Sequence, residues 1–130
     1  MPEDYVMEIE GGEPLLVGVP IAEITGSGGD LFVLNKSELK DVRWAPRMFD
    51  VEFWELGLSE PWGRTGRTGS LNFVHADVIE IARDSDMPSE STQIDDLVVE
   101  PASGRWRVTD FALGCLVVTV EFVVMRFSIQ

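Results

Sequence analysis

The sequence predicts a mainly β protein, folded as a single-domain antiparallel sandwich or partly open barrel with at most one or two short helices. Apolar residues recur with a period of two, which is typical of strands with one buried face. Turn-forming residues separate these stretches at intervals of about 8–12 residues, as in all-β sandwiches and barrels. The chain of 130 residues has the size of one ordinary domain, and no linker divides it, so residues 1–130 are predicted to form one domain.

The first predicted element is a hairpin near the N-terminus. Apolar residues alternate from Tyr5 to Ile9 in DYVMEIE, and LLVGVPIAEI continues the pattern after the turn GGEP. Two apolar runs joined by a short glycine-containing link are typical of a hairpin. Because Pro20 lacks the N–H of a central strand residue, the second strand should lie at an edge or end there.

The next stretch contains the best helix signal in the chain. TGSGGD is predicted to be a loop and LFVL a short strand. In NKSELKD, Asn35 has the position of a helix cap, and Glu38 follows three residues later to reach back to its amide. The sequence therefore predicts a helix of no more than two turns.

The segment MFDVEFWEL predicts a strand with two different faces. Phe49, Val51 and Phe53 alternate on one side, while Asp50 and its neighbours on the other side are mostly acidic. In SLNFVHADVIEIAR the spacing fits either a helix or a strand, but the β-branched residues between positions 78 and 81 favour a strand. IDDLVVE and GRWRVTDF read as further strands.

The last fifteen residues before the terminus, CLVVTVEFVVMRFSI, give the strongest strand signal. Every second residue from Leu116 to Val124 is apolar. A straight strand of this length would span about 50 Å, which exceeds the width of a small domain. We therefore expect the strand to curve, to carry a bulge, or to protrude and pair with another chain. Gly114 is the expected bend before it.

The charge balance excludes some partners and favours others. Twenty-three acids against ten bases give a formal net charge of −13. Such a chain repels nucleic-acid phosphates and anionic membrane surfaces, and it attracts basic proteins or cations. An equally simple interpretation is that the acids only keep the protein in solution.

The cysteine content, the N-terminal residues and the length of the apolar runs predict the compartment of the protein. The single cysteine excludes an intramolecular disulfide. The first ten residues carry acids where a signal peptide has positive charge, and no apolar run reaches the length of about 18 residues that a membrane helix needs. We expect a cytoplasmic protein without a cofactor or a metal.

The stretch GRTGRTGS is the segment that most resembles a ligand site. Its glycines and arginines could bind an anion, but a phosphate-binding loop would also need a lysine and a following helix. The stretch is therefore predicted to be a mobile hairpin loop between two strands, with contact to an acidic surface as a second role.

Catalytic and metal-binding signals are weak. His75 and Cys115 are the only histidine and cysteine, and both lie in strand-like runs where structural roles prevail. Nothing in the spacing selects a pair of carboxylates for hydrolysis, such as Glu52 or Glu55 with Asp110. The acidic loop around DSDMPSE offers oxygen ligands, but Pro88 and Ser89 break the EF-hand pattern.

Two functions remain open. The first is a non-enzymatic protein-binding module, in its sharpest form a small inhibitor or immunity-type protein that neutralises a basic protein partner. The alternative is a structural subunit of a phage or another multimeric assembly, located in the virion, which docks against copies of itself through its long C-terminal strand and its Arg-Gly loop. The predicted contact residues are Asp50, Glu52, Trp54, Glu55, Trp62, Arg64, Arg67, Asp84, Asp86, Glu90, Asp95 and Asp96.

Overall fold

The computed structural model describes residues 6–26, 31–58, 63–64 and 68–129, with the side chains of residues 35–36, 54–58 and 63–64 outside the description. The described residues form strands, turns and loops without a helix, which confirms the predicted mainly β class. This part of the chain accordingly contains no helix that could cross a membrane. In chain order the strands are β1 (Val6–Met7), β2 (Ile9–Glu10), β3 (Leu15–Leu16), β4 (Glu23–Thr25), β5 (Leu31–Ala45), β6 (Arg47–Leu58), β7 (Gly63–Arg64), β8 (Gly69–Arg83), β9 (Val99–Ala102), β10 (Arg105–Leu113), β11 (Leu116–Phe122) and β12 (Val124–Ile129).

Ten of the strands form one hydrogen-bonded sheet that is organised around β8, while β1 and β3 pair in a separate ribbon. The first half of β8 lies between β6 and β12, and its second half pairs with β11. Strands β5 and β4 continue the sheet beyond β6, and β10 and β9 continue it beyond β11. The pairs are antiparallel except β2–β12, and the described strands do not close into a barrel.

Inward-facing side chains of these strands form a single hydrophobic core. The predicted inner face of β6 is confirmed, because Phe49, Val51 and Phe53 are all buried. Phe73 of β8 links this face to β11, with its ring centroid 5.6 Å from that of Phe49 and 4.8 Å from that of Phe122. Such tilted and edge-on aromatic pairs stabilise a core beyond the area that they bury.

The segment with ambiguous spacing is a strand, as the β-branched residues favoured. Strand β8 changes direction near His75, which has a φ of 54°. On the neighbouring strand, Arg47 also has a positive φ, of 68°, and the register shifts beside it. These irregularities lie where β8 passes from its pairing with β12 to its pairing with β11.

The C-terminal stretch contains the break that its length predicts. Val118, Val120 and Phe122 are buried on the expected face, but beyond Val123 the buried residues are Met125 and Phe127. Val123 is thus one extra residue that reverses the alternation, and its N–H donates to Val74 O at 3.0 Å. As expected, Gly114 lies in the turn before the stretch, with a φ of 61°.

The predicted helix over NKSELKD is wrong, because this segment lies inside β5. A two-turn helix is marginal on its own, whereas here the backbone pairs with β6 and Leu39 packs against the core. The register with β6 shifts repeatedly between Val33 and Asp41. Pairing with a long neighbouring strand has therefore overridden a weak local preference.

The N-terminal hairpin is confirmed but short. Val6 pairs with Leu16, and the following residues bend at Gly18, which has a φ of 81°. After Pro20 the chain continues through an isolated bridge between Ile21 and Leu97. The strand predicted over IDDLVVE is also shorter than expected. This segment forms isolated bridges at Ile94 and Leu97, and its last two residues begin β9. Most of the predicted loop TGSGGD lies outside the described residues.

Candidate functional site

The predicted contact acids Asp50 and Glu52 lie on the outer face of β6. The Asn72 side-chain amide donates to Asp50 Oδ1 at 2.9 Å. The Glu52 carboxylate lies 3.4 Å from Arg43 Nε and 3.8 Å from Lys40 Nζ. Both acids therefore have partners inside the protein. We call the group that forms these contacts the charged ladder, which comprises Lys40, Asp41, Arg43, Asp50, Glu52 and Asn72.

Arg43 also holds the remaining acid of the charged ladder. Its Nε lies 3.0 Å from Asp41 Oδ2, and the Val42 N–H donates to Asp41 Oδ1 at 2.9 Å. The hydrogen bond from Arg43 is the largest cause that lowers the pKa of Asp41 below its ordinary value. The same bond raises the pKa of Arg43, so the two shifts agree. Lys40 and Arg43 therefore offset the charges of two of the three acids on this face, Asp41 and Glu52.

Several predicted contact residues have no described side chain. Trp54 and Glu55 continue β6, and Arg64 lies in β7, which pairs with β6 through the partners Gly57 and Arg64. The Arg-Gly stretch therefore turns back onto the end of β6 at its first residues. Trp62 and Arg67 fall outside the described residues.

The second group of predicted acids lies on residues 84–96, which we call the acidic segment. This segment follows β8 and crosses the turn between β10 and β11. The Asp84 N–H donates to Cys115 O at 2.7 Å, and the Gly114 N–H donates to Gln93 O at 2.7 Å. Ile94 inserts into the core, where it is 3% exposed. The backbone of the acidic segment is therefore fixed at both ends.

Gly114 allows this close crossing. A Cβ atom at this position would lie 2.5 Å from Ser91 O and 3.3 Å from Leu39 Cδ2. Real Cβ atoms do not approach a backbone oxygen so closely, and the φ of 61° is also unfavourable for other residues. The glycine thus determines how near the acidic segment lies to the β10–β11 turn.

The carboxylates of the acidic segment bond locally rather than to cations. Asp84 Oδ1 accepts from the Asp86 N–H at 3.0 Å, and Asp95 Oδ1 accepts from the Asp96 N–H at 2.8 Å. Glu90 accepts from the Ser89 hydroxyl at 3.1 Å. Within the described part of the chain, none of these acids forms an ion pair with a lysine or arginine. Their negative charge is available to another molecule.

A groove lies between the acidic segment and β5, and we call it the tryptophan groove. It has a volume of about 420 Å³, and its apolar lining includes Leu39, Trp44 and Leu116. Trp44 is 51% exposed. Glu90 lines the opposite side, and the Leu39 N–H donates to Thr92 O at 2.9 Å to join the two sides. Lys40 and Asp41 of the charged ladder line the groove as well. The groove therefore offers an aromatic surface that has the Glu90 carboxylate on the side of the acidic segment.

The structure does not bring His75 and Cys115 together. His75 lies at the bend of β8, where its carbonyl accepts from Arg105 Nη2. Cys115 lies beside the far end of β8, with its Sγ 3.9 Å from Ser89 O. The Asp84 N–H, which donates to Cys115 O, is nine residues after His75. An extended chain of nine residues spans about 30 Å. A nucleophile and base pair from these residues is therefore excluded in this fold.

The described residues also contain no group of three or more histidine, cysteine or acidic side chains that could hold a metal ion. Although the acidic segment is rich in carboxylates, its crossing over the turn spreads Asp84, Glu90 and Asp95 apart rather than directing them to one point. These acids form an extended negative surface.

Sequence reasoning did not select Trp44 or the cations Lys40 and Arg43. The hairpin with its turn at Pro46 was the signal that could have identified them, because it places Arg43 opposite Asp50 and Trp44 opposite Phe49. Because NKSELKD has the capping pattern of a helix, the sequence does not predict the pairing of this segment with β6.

Comparison with known proteins gives no match for this chain among protein-family models, curated proteins or solved structures.

Proposed function

We propose that this protein is a non-enzymatic binding module, in the manner of a small inhibitor or immunity-type protein, which neutralises a basic protein partner. The observation that carries the proposal is the difference between the two groups of acids: those of the charged ladder are paired, whereas those of the acidic segment are not. Unpaired carboxylates on a fixed backbone attract a basic surface and accelerate its association.

In the proposed interface, the tryptophan groove contributes most of the binding free energy. Aromatic side chains in a concave surface, surrounded by polar residues, are typical binding hot spots. A lysine or arginine of the partner can lay its aliphatic stem against Trp44, with its charge near Glu90. Trp44 would then contribute most of the affinity, and the acidic segment would contribute association rate and salt dependence.

The alternative function, a structural subunit of a multimeric assembly that docks through its long C-terminal strand and its Arg-Gly loop, is the weaker proposal. Strand β11 already lies between β8 and β10, so one of these strand pairings would have to open before β11 could pair with another copy. Strand β12 pairs with β8 along its length and with β2 at Met125 and Arg126. The second half of β8 extends beyond β6, but Ile79 forms a bulge there and Glu80 is exposed. Bulges and charges are devices that protect an edge strand from pairing.

A capture experiment with matched variants tests the proposed function. The immobilised protein is exposed to a lysate of its source organism at low and at high salt, and bound proteins are quantified by mass spectrometry. We expect one basic protein to be retained at low salt and released by salt. Trp44→Ala should weaken its binding by about 2 kcal/mol or more.

The control separates the two groups of acids. Asp86→Asn with Glu90→Gln and Asp50→Asn with Glu52→Gln change the net charge equally. Only the first pair should slow association with the captured protein, because the second pair removes acids that already have partners inside the protein. Equal effects of both pairs, or binding that salt does not change, would contradict the proposed function. A ring or polymer in light scattering would support the structural-subunit alternative.

A further inference from the structure

A second concave surface lies at the other end of β5 from the tryptophan groove. It is a cleft of about 410 Å³ beside β4, which we call the β4 cleft. Leu31 lines it at the first residue of β5, whereas Trp44 is near the last. The two concave surfaces are therefore separate, and a ligand of the β4 cleft need not contact the tryptophan groove.

Apolar side chains form much of the lining of the β4 cleft. Leu15 and Ile21 line it and are buried, whereas Leu16 and Val19 are 52% and 44% exposed. Small-molecule sites are typically concave surfaces with an apolar lining and a few polar groups that orient the ligand. The β4 cleft can therefore take up the apolar body of a small organic molecule.

Backbone hydrogen bonds hold the chain segments that line the cleft. The Gly18 N–H donates to Val99 O at 2.8 Å and fixes the bend that precedes Val19. Ile21 exchanges two hydrogen bonds with Leu97, at 2.7 and 3.0 Å. Because these walls are fixed before a ligand arrives, little conformational entropy is lost on binding.

The backbone of Glu23 has no partner at this cleft. The Leu34 N–H donates to Ala22 O at 2.8 Å, so the alternation of an antiparallel pair directs the N–H and C=O of Glu23 away from β5. On that side Ile21 and Thr25 have hydrogen-bond partners, whereas Glu23 has none among the described residues. This opening is one residue long, which is too short for a paired strand but sufficient for an ammonium group.

Two acids determine the charge of the ligand. Glu13 and Glu23 line the cleft, both are exposed, and neither forms an ion pair with a described residue. An ammonium group donates charge-assisted hydrogen bonds to carboxylate and carbonyl oxygens, and these bonds are stronger than neutral ones. The same two acids repel an anionic ligand.

We propose that the β4 cleft binds a small primary amine with an apolar body. The apolar body packs against Leu16 and Val19, while the ammonium group donates to the Glu23 carbonyl and lies near the two carboxylates. Because the ammonium group and the apolar body are at opposite ends of such a molecule, each can reach its own part of the cleft. This site is independent of the proposed function.

The test uses a defined probe, phenethylamine, which is titrated into the isotopically labelled full chain. We expect saturable shifts of the Leu16, Val19 and Glu23 amide resonances in NMR spectra. Phenethyl alcohol, which has a hydroxyl in place of the ammonium group, should bind about tenfold more weakly, and phenylacetate should not bind. Trimethylated phenethylamine keeps the charge but has no N–H donor, so it should bind several-fold more weakly. Equal binding of the amine and the alcohol would overturn the proposal.

Matched variants identify the cleft. Leu16→Ser should lower the affinity for phenethylamine several-fold, whereas Ile79→Ser, at a residue 56% exposed on β8, should leave it unchanged. Glu23→Gln should weaken the binding of phenethylamine but not of phenethyl alcohol, and Glu80→Gln should change neither. Equal losses within either pair of variants would overturn the proposal.

Other binding sites give different results. If phenethylamine shifts only the resonances of residues 84–96, the β4 cleft is not its site and the proposal is wrong. If light scattering detects a dimer that Leu16→Ser dissociates, a second copy covers the cleft and the proposal is also wrong. Trp44→Ala should leave phenethylamine binding unchanged, so failure of this proposal can be distinguished from failure of the proposed function.

Discussion

The charged ladder and the acidic segment both contain several acids, but their carboxylates have different partners in the fold. In the charged ladder, Arg43 contacts Asp41 and Glu52, and Asn72 contacts Asp50. In the acidic segment, the carboxylates of Asp84 and Asp95 accept from nearby backbone N–H groups and from no other group in the described part of the chain. A count of acids therefore does not identify a binding surface; the cross-strand neighbours of each acid do.

The difference has a simple geometric cause. Asp50 and Glu52 of β6 lie opposite residues of β5 on one side and of β8 on the other, so both acids have neighbours on two flanking strands. The acidic segment instead crosses over a turn, and its backbone rather than its side chains makes the contacts. Among the described residues none of its acids forms an ion pair, so its charges remain accessible to solvent and to partners.

The largest effect is expected from a substitution at Gly114, where the acidic segment crosses the turn between β10 and β11. Gly114→Ala should reduce the free energy of unfolding by about 2–4 kcal/mol, because it combines an unfavourable φ with a clash against Ser91 O. Gly104→Ala is the control, since Gly104 has a φ of 79° but no atom within 4 Å of the position that an added Cβ would take. It should lose only about 1–2 kcal/mol. Equal losses in urea unfolding would show that the close crossing contributes nothing.

A smaller effect is expected from the side-chain contacts of the charged ladder. Asn72→Ala removes the amide that donates to Asp50 and should lower the free energy of unfolding by about 1 kcal/mol. Thr92→Ala, at an exposed residue of the acidic segment, should change it by less than about 0.5 kcal/mol. Urea unfolding of both variants measures the difference. A larger loss at Thr92 would reverse the comparison between the two regions.

Removing charge should have opposite signs in the two regions. Asp86→Asn with Glu90→Gln relieves repulsion in a chain of net charge −13 and should raise stability by up to about 0.5 kcal/mol. Asp50→Asn with Glu52→Gln removes attraction to Lys40 and Arg43 and should lower stability by a similar amount. The contrast should shrink as salt is added, because salt screens both effects. If removal of the acids raised stability in both regions, the result would contradict the pairing of Glu52 with Lys40 and Arg43 in the charged ladder.

The smallest effect concerns the titration of Asp41. Its pKa is lowered in the folded protein, so this carboxylate stabilises the fold at pH values above its ordinary pKa, and the contribution is lost as the pH falls through the lowered pKa. Arg43→Gln should raise the pKa of Asp41 toward its ordinary value. Carboxyl carbon shifts in an NMR titration measure the change. An unaltered titration curve would mean that Arg43 does not hold Asp41 in solution.

Period-two alternation predicted much of the fold. The inner face of β6 and the buried residues of β11 follow it directly, because each lies on a strand with one face on the core. It failed at residues 35–41, where local capping residues suggested a helix and only the pairing with β6 decides the outcome. The position of the extra residue at Val123 also depends on the bend of β8, although the need for a break could be predicted from length alone.

The candidate site was predictable only in part. The part of the acidic segment from 84 to 93 could be selected as a set of solvent-accessible acids, because its composition has no strand pattern. Asp50 and Glu52 were selected for the same composition, but their partners Lys40, Arg43 and Asn72 come from other strands. Trp44 could not be distinguished from a core tryptophan, since its exposure results from its position at the end of a hairpin.

The most direct test of this account is the response of the full chain to tetralysine, a cationic probe without apolar side chains. Tetralysine is titrated into the isotopically labelled protein at low salt, and the backbone amide shifts are compared between residues 84–96 and the charged ladder. We predict shifts that are concentrated in the acidic segment and disappear at high salt. Equal or larger shifts at Asp50 and Glu52 would contradict the claim that partners inside the protein occupy the acids of the charged ladder.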